Sequence, residues 1–472
     1  MLFNSLAFWL FLPCCLLLYW IIPNNRVVTR NAFLLCVSYF FYSAWDYRFL
    51  SLILLSTVID YTAAIAMSDA SSRARKWWLY FSVFSNIGIL GFFKYFNFFL
   101  DSVNMFFVTS NPLSSLNIIL PIGISFYTFQ SLSYTIDVYR GHQKPEKRFV
   151  TFALYVSFFP QLLAGPIERA GSLIPQLKSP VKFNPADLKI GFRRFLLGMV
   201  KKVTISPAIF EYSDSLFLNP TLNSGMDAWI KGFFWFLYLL MDFSGYSDMA
   251  IGIARMLGIR LSENFNAVLK TQNFPDFWKR WHITLGEWFK DYVFSPIRAR
   301  GYSKYFAGFL TFTLIGFWHG ASWNFLLWGM GLGVFWCIDV RFRPIERIGQ
   351  ILPSAIRPMV NTIGFLSLFL INCSFFPARD IGSAVTIIKS MIGIHSFQNG
   401  LSTYSMGAAF QFAAVLALGI ELFQTFASPK VKSDLEVNQV YRNLRLFLFI
   451  PCGIVLCIEG LWSSAEFEYF QF

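Results

Sequence analysis

The chain of 472 residues is 56% hydrophobic and 14% charged, with a mean hydropathy of +0.51, which excludes an ordinary water-soluble globular protein. Its 57 phenylalanines suit lipid contact and packed membrane helices. The formal charge of +13 does not call for nucleic acid, because cationic cytoplasmic loops are the usual enrichment of a membrane protein.

Stretches long enough to cross a bilayer, about 17 to 25 residues, run near 2–22, 49–67, 77–100, 118–138, 228–257, 323–340, 406–426 and 444–462. The first, MLFNSLAFWLFLPCCLLLYWII, has no basic leader and no small-residue cleavage site, so it is expected to be a retained span. Shorter apolar runs near 32–45, 149–164, 192–210, 305–318 and 360–377 predict tilted or broken helices. LLAGPIERAGSLIPQL (162–177) joins glycine, proline and charge to an apolar run, as a re-entrant loop or a tight turn does. The expected class is all-α and polytopic, with roughly ten to thirteen membrane helices. No linker or repeat divides 1–472, which predicts one domain. The seven cysteines lack metal-site spacing and are expected to pack, as Cys14, Cys15, Cys452 and Cys457 do within apolar runs.

Charge orients the chain. Arg73, Arg75 and Lys76 fill one loop and Arg140 to Arg148 another, while 101–117 between them has no Lys or Arg, so the two basic loops are expected to be cytoplasmic. Lys430, Lys432, Arg442 and Arg445 lie before the last span, and the final EFEYFQF and initial MLFNSLAF are free of basic residues. Both termini are therefore expected outside the cell membrane.

Four histidines exist, and an imidazole at membrane depth is costly enough to suggest function. His319 lies in GFWHGASWN (316–324), where Gly320 and Ala321 remove bulk beside the ring; a packed histidine at a helix break is the alternative. His282 lies in NFPDFWKRWHITLGEWFKDYVFSPI (273–297), too charged to span. There Trp278, Trp281, Leu285, Trp288, Phe289 and Tyr292 recur at helical steps, predicting an interfacial amphipathic helix with His282 beside its aromatic face. His142 and His395 fall in loops and are given no role. Asp60 and Lys94 are polar residues at membrane depth, and Asp242 with Asp248 flanks small residues in LLMDFSGYSDMAIGIARMLG (239–258), a pattern for a funnel wall, or for a broken helix or cation site. No Walker A loop, G-x-S-x-G elbow, H-E-x-x-H or Rossmann fingerprint is present, and no metal site is expected.

Six ordered blocks carry a resemblance: PIGISFYTFQSLSYTIDVYRG (121–141), FFPQLLAGPIERAGSLIPQL (158–177), DFSGYSDMAIGIARMLGIRLSENFNA (242–267), FWKRWHITLGEWFKDYVFSPI (277–297), GFWHGASWNFLLWG (316–329) and the terminal EYFQF. Together they resemble the membrane-bound O-acyltransferase (MBOAT) family, in the bacterial branch of alginate and peptidoglycan O-acetyltransferases and the teichoic-acid D-alanyl transfer protein, most closely over about 120–330. The resemblance implies helices around a funnel or tunnel, an acyl donor from the cytosol and an acceptor from the other side. It maps the family's catalytic histidine onto His319, as general base, and its second polar residue onto His282, orienting the acceptor or donating to the oxyanion. It also implies acetyl transfer from acetyl-CoA, used as a substrate with no bound cofactor, to an envelope polysaccharide or an extracytoplasmic acetyltransferase partner, within the bacterial inner membrane and its lipids. Trp281, Trp318 and Asp242 are expected to line the tunnel, and Lys279 and Arg280 to attract the phosphates of coenzyme A or lipid headgroups. SPIRARGYSKYF (295–306) replaces the glycine-rich turn of the alginate-type branch, which keeps D-alanyl transfer from a carrier protein as the alternative; a transporter or flippase built on Asp242 and Asp248, and a silent scaffold, are the readings from other classes.

Overall fold

The computed structural model describes residues 1–107, 113–393, 411 and 413–420. The expected spans at 406–426 and 444–462, His395, Cys452, Cys457 and the C-terminal charge pattern lie wholly or partly outside the described residues. Every regular element among the described residues is helical. Among the described residues three helical stretches are long and apolar enough to cross a membrane: Tyr47–Asp69, Ser72–Phe106 and Trp323–Phe342. Compactness divides the chain into one unit of residues 1–196 with 247–262 and a second of 197–246 with 263–472.

The first unit contains α1 (Leu6–Ile21), α2 (Val27–Ser43), α3 (Leu50–Asp69), α4 (Ser72–Leu90), α5 (Phe96–Phe106), α6 (Ile124–Arg140), α7 (Phe149–Ser157), α8 (Phe159–Leu162), α9 (Ala170–Lys178) and most of α10 (Pro185–Met199). A π-helical turn at Gly91–Tyr95, which carries Lys94, joins α4 to α5. The span expected at 118–138 begins only at Ile124, after 113–121 without regular structure. Gly123 makes that start possible: its φ of 78° favours glycine, and a Cβ there would sit 2.8 Å from the Leu162 carbonyl oxygen. Arg75 Nη2 donates to the Tyr139 carbonyl at 2.9 Å, which brings the two basic loops to the same end of this helix group. The Gly-Pro-Glu-Arg segment is a turn between α8 and α9. Its buried Glu168 accepts from the Ser262 backbone N–H.

The second unit contains α11 (Ser206–Ser213), α12 (Ser215–Leu218), the larger part of α13 (Gly225–Met256), α14 (Phe274–Phe277), α15 (Ile283–Phe289), α16 (Ser295–Ala299), α17 (Lys304–His319), α18 (Trp323–Phe342), α19 (Pro344–Gln350), α20 (Arg357–Cys373) and α21 (Ile381–Met391). The apolar run near 192–210 is interrupted by a π-helical segment, Val200–Ile205. Helix α13 is continuous through Asp242 and Asp248, so the broken helix considered there does not form. Small residues set the tightest packing, between α17 and α18. A Cβ on Gly316 would lie 2.6 Å from the Gly329 Cα, and one on Gly329 would lie 2.6 Å from the Phe312 carbonyl oxygen, so the two backbones meet where only glycine fits.

Candidate active site

The segment around His282 is not the continuous amphipathic helix that its aromatic period predicts. Helix α14 stops at Phe277, and α15 starts at Ile283 with His282 itself in the left-handed region, φ 41° and ψ 53°. A residue with a Cβ adopts that conformation only where its surroundings hold it. Here the chain at 264–266 supplies the hold: Ile283 N–H donates to the Asn264 carbonyl at 3.0 Å, and Asn266 N–H donates to the Arg280 carbonyl at 2.9 Å. The break turns Trp281, Leu285, Trp288 and Phe289 into buried residues and leaves His282 fully buried rather than at the edge of a surface stripe.

The same contact selects the histidine's tautomer. Asn264 Oδ1 accepts from the Thr284 backbone N–H at 3.3 Å and from Thr284 Oγ1 at 2.9 Å, and it lies 3.0 Å from His282 Nδ1. A backbone N–H can only donate, so the atom it meets is the amide oxygen, and Nδ1 is the protonated nitrogen. The neutral ring therefore presents Nε2 as an acceptor. Burial favours that neutral form and pushes the His282 pKa down to about 3.

Phe243 of α13 packs edge-on to the His282 ring, with centroids 4.7 Å apart. Its neighbours on α13 are anchored: Asp242 accepts from Lys202 Nζ and from Ser206 Oγ at 3.2 Å, and Lys201 Nζ donates to Ser244 Oγ at 3.3 Å. All of these side chains are buried. Asp242 is thus the carboxylate of a buried ion pair one residue from the ring that packs on His282.

His319 is the last residue of α17, and Gly320 continues in extended backbone. A Cβ on Gly320 would lie 2.1 Å from the Phe325 ring, so the small residue beside the histidine is a steric requirement. The His319 ring is caged by aromatic rings: Trp328 at 5.1 Å, Phe376 at 5.4 Å and its own neighbour Trp318 at 4.9 Å. Trp318 also meets His282 at 6.2 Å, so a single indole touches both imidazoles. Asn372 Nδ2 donates to the Trp328 carbonyl at 3.0 Å, and Asn324 Nδ2 to the Ala378 carbonyl at 2.6 Å, which pins the chain that carries Phe376.

Trp328 and Phe376 also line a narrow apolar cavity of about 20 Å³, with Trp235, Trp278, Trp281 and Cys373 among its other walls. The Trp278 indole N–H is buried and makes no hydrogen bond within the protein. The sequence did not mark Trp278, Phe376 and Cys373 as wall residues, because Trp278 read as one more aromatic on a periodic face and the other two lie in the apolar run near 360–377, which suggested only a short helix.

Lys279 lies on a different cavity, an open polar basin of about 530 Å³ that it shares with Lys304, Arg343, Asp276, Asp339 and Glu346. Arg280 borders the same basin but is committed: its Nε donates to Asp276 Oδ2 at 3.0 Å and its Nη1 to the Asn266 carbonyl at 3.3 Å. Trp281 and Trp318 therefore join the two-histidine site, whereas Lys279 and Arg280 line the basin. His142 is exposed after α6, with Asp137 4.0 Å away.

The described residues thus combine apolar helices long enough for a membrane with two buried histidines against one indole. The family model of the membrane-bound O-acyltransferases, MBOAT, matches residues 34–378, and the chain belongs to that family and is an acyltransferase. A probable alginate O-acetylase from Azotobacter vinelandii is 38% identical over 401 residues, 83% of this chain and 78% of the relative. A peptidoglycan O-acetyltransferase from Helicobacter pylori is 33% identical over 435 residues, 85% and 81% of the two chains. A teichoic acid D-alanyltransferase from Bacillus subtilis is 30% identical over 226 residues, 45% and 57% of the two chains.

Proposed function

We propose that this protein moves an acetyl group from cytosolic acetyl-CoA to a hydroxyl of a cell-envelope polysaccharide, or of an extracytoplasmic partner that serves one, with His319 as general base. The observation that carries the reading is the joining of His319 to a small apolar cavity through Trp328 and Phe376. The cavity's lining is almost wholly aromatic and apolar, which suits the methyl of a short acyl group. The similarity to an alginate O-acetylase and a peptidoglycan O-acetyltransferase supports the acetyl group and the envelope acceptor.

In this mechanism His319 takes the acceptor's hydroxyl proton as the oxygen attacks the thioester carbonyl. The tetrahedral intermediate collapses, the carbon–sulfur bond breaks, and the thiolate leaves with the proton returned by the His319 imidazolium. General-base help of this kind is worth roughly 10² to 10⁴ in rate. His282, neutral with Nε2 as acceptor, orients the acceptor hydroxyl, the one of its two expected roles that its tautomer supports. The Trp278 indole N–H is placed on the cavity wall to donate to the oxygen that gains charge. Lys279 and Lys304 in the polar basin attract the donor's phosphates.

The protein is read as a single MBOAT-type domain in a bacterial inner membrane, with roughly ten to thirteen membrane helices around a funnel, basic loops in the cytosol and both termini outside. D-alanyl transfer from a carrier protein is the second reading, favoured by the short 295–306 segment and by the partial similarity to the D-alanyltransferase. The transporter reading needs a polar cavity around Asp242 and Asp248, and these two carboxylates are paired with Lys202 and Arg194 respectively.

The test uses purified protein in nanodiscs with radiolabelled acetyl-CoA, comparing wild type, His319→Ala and His282→Ala for coenzyme A release and label transfer to envelope extract. Release and transfer by wild type that vanish in folded His319→Ala protein support the reading. A wild type that neither releases coenzyme A nor transfers label overturns the donor, and a D-alanyl carrier is tried next.

A further inference from the structure

Three helices of the first unit meet in a polar centre that the acyl-transfer reading leaves unused. Helix α3 supplies Ser56 and Asp60, α4 supplies Ser82 and Asn86, and α6 supplies Ser131 and Thr135. Each pair is spaced four apart, so each lies on one face of its helix. All six side chains are at most 2% exposed. Helices α3 and α4 belong to stretches apolar enough to span a membrane, so this centre sits where polar groups are most expensive.

The hydrogen bonds converge on one carboxyl group. Ser82 Oγ donates to Asp60 Oδ1 at 2.5 Å, and Asn86 Nδ2 donates to Oδ1 at 2.9 Å and to Oδ2 at 3.1 Å. Ser56 Oγ donates to Asn86 Oδ1 at 2.6 Å and lies 3.5 Å from Ser131 Oγ. Ser131 and Thr135 also face the carboxyl group. Thr135 Oγ1, fully buried, closes no hydrogen bond within the protein. No Lys, Arg or His lies within ion-pair distance of Asp60 among the described residues.

These facts leave a charge and a coordination shell to account for. A carboxylate at this depth without a counter-charge is strongly disfavoured, and neutral donors only partly replace water around it. Asp60 Oδ2 receives a single shared N–H, while Thr135 Oγ1, Ser131 Oγ and Ser56 Oγ offer oxygen lone pairs from the surrounding helices. One carboxylate with several neutral oxygens suits a small hard cation of single charge, since a divalent ion would leave an uncompensated positive charge in the bilayer. We propose that the Asp60 centre between α3, α4 and α6 binds a monovalent metal cation, with sodium the probe of choice.

The test is a thermal melt of the full-length protein in detergent, in NaCl, KCl and choline chloride at equal ionic strength. The expected result is a melting temperature that rises and saturates with Na⁺ and does not respond to choline, because a ligand held only by the folded state stabilises it. Asp60→Asn abolishes the Na⁺ response. Thr135→Val and Ser131→Ala keep it but raise the half-saturating Na⁺ concentration by about tenfold, as expected for one lost ligand. Identical melting in NaCl and choline chloride overturns the proposal and assigns a bound proton to Asp60 instead. A full Na⁺ response in Asp60→Asn overturns it as well. If Asp60→Asn does not fold, the wild-type titration and the Thr135→Val shift decide alone.

Discussion

His282 and His319 are equally hidden from solvent, yet the protein builds their surroundings by opposite means. At His282 the constraint is polar and local to the backbone: a left-handed residue held by bonds to 264–266 and an amide oxygen that selects its tautomer. At His319 the constraint is apolar: a helix end, a glycine that admits the Phe325 ring, and indole and phenyl faces around the imidazole. A tautomer-locked histidine suits a fixed hydrogen-bonding duty. One ringed by aromatic faces beside a small apolar cavity suits a proton that comes and goes, which is the division of labour proposed above.

Five substitutions break or sharpen that contrast. His319→Ala has the largest expected effect, a loss of roughly 10² to 10⁴ in kcat with unchanged size-exclusion profile and circular dichroism, because proton transfer itself is removed. Asn264→Ala follows, with about 10- to 100-fold lost from kcat/KM, since the buried Nδ1–H loses its acceptor. In Asn264→Asp the carboxylate stabilises the imidazolium and raises the His282 pKa from its depressed value. The acid limb of the pH–rate profile then moves to higher pH, and an unmoved limb would remove His282 from the reaction.

Phe376→Ala acts on the apolar side. It widens the cavity beside His319, so the ratio of butyryl to acetyl transfer measured with paired thioester donors is expected to rise by about tenfold, as one or two accommodated methylenes allow. The smallest effect is expected for Lys279→Gln. Its KM for the donor should rise only a few-fold and the rise should fade with added salt, since the basin is open to solvent and its charge is screened. A loss of kcat in that variant would place Lys279 in the chemistry rather than in attraction.

Much of this was open to inspection of the chain alone. Hydropathy and loop charge showed a polytopic membrane protein, and the W-H-G and W-H-I-T blocks singled out both histidines through the family they resemble. The spacing of Trp278, Trp281, Leu285 and Trp288 suggested a continuous helix, and it misled because a side-chain period says nothing about a backbone held in the left-handed region by a segment 18 residues away. Asp242 and Asp248 read as a possible break because glycine and serine lie between them. In the fold, Asp242 meets Lys202 and Asp248 meets Arg194, and the helix passes through unbroken.

The sequence by itself determined the class and the family and pointed to the two histidines, since apolar length, charge bias and short ordered blocks are local properties of the chain. Only the tertiary structure decided which nitrogen of His282 carries its proton, which rings enclose His319, and that the lone Asp60 collects five polar neighbours from three helices. Each of those is a meeting of residues far apart in the chain, and the energy that makes it, whether a hydrogen bond out of reach of water or the exclusion of a Cβ by a ring, exists only once the helices have packed.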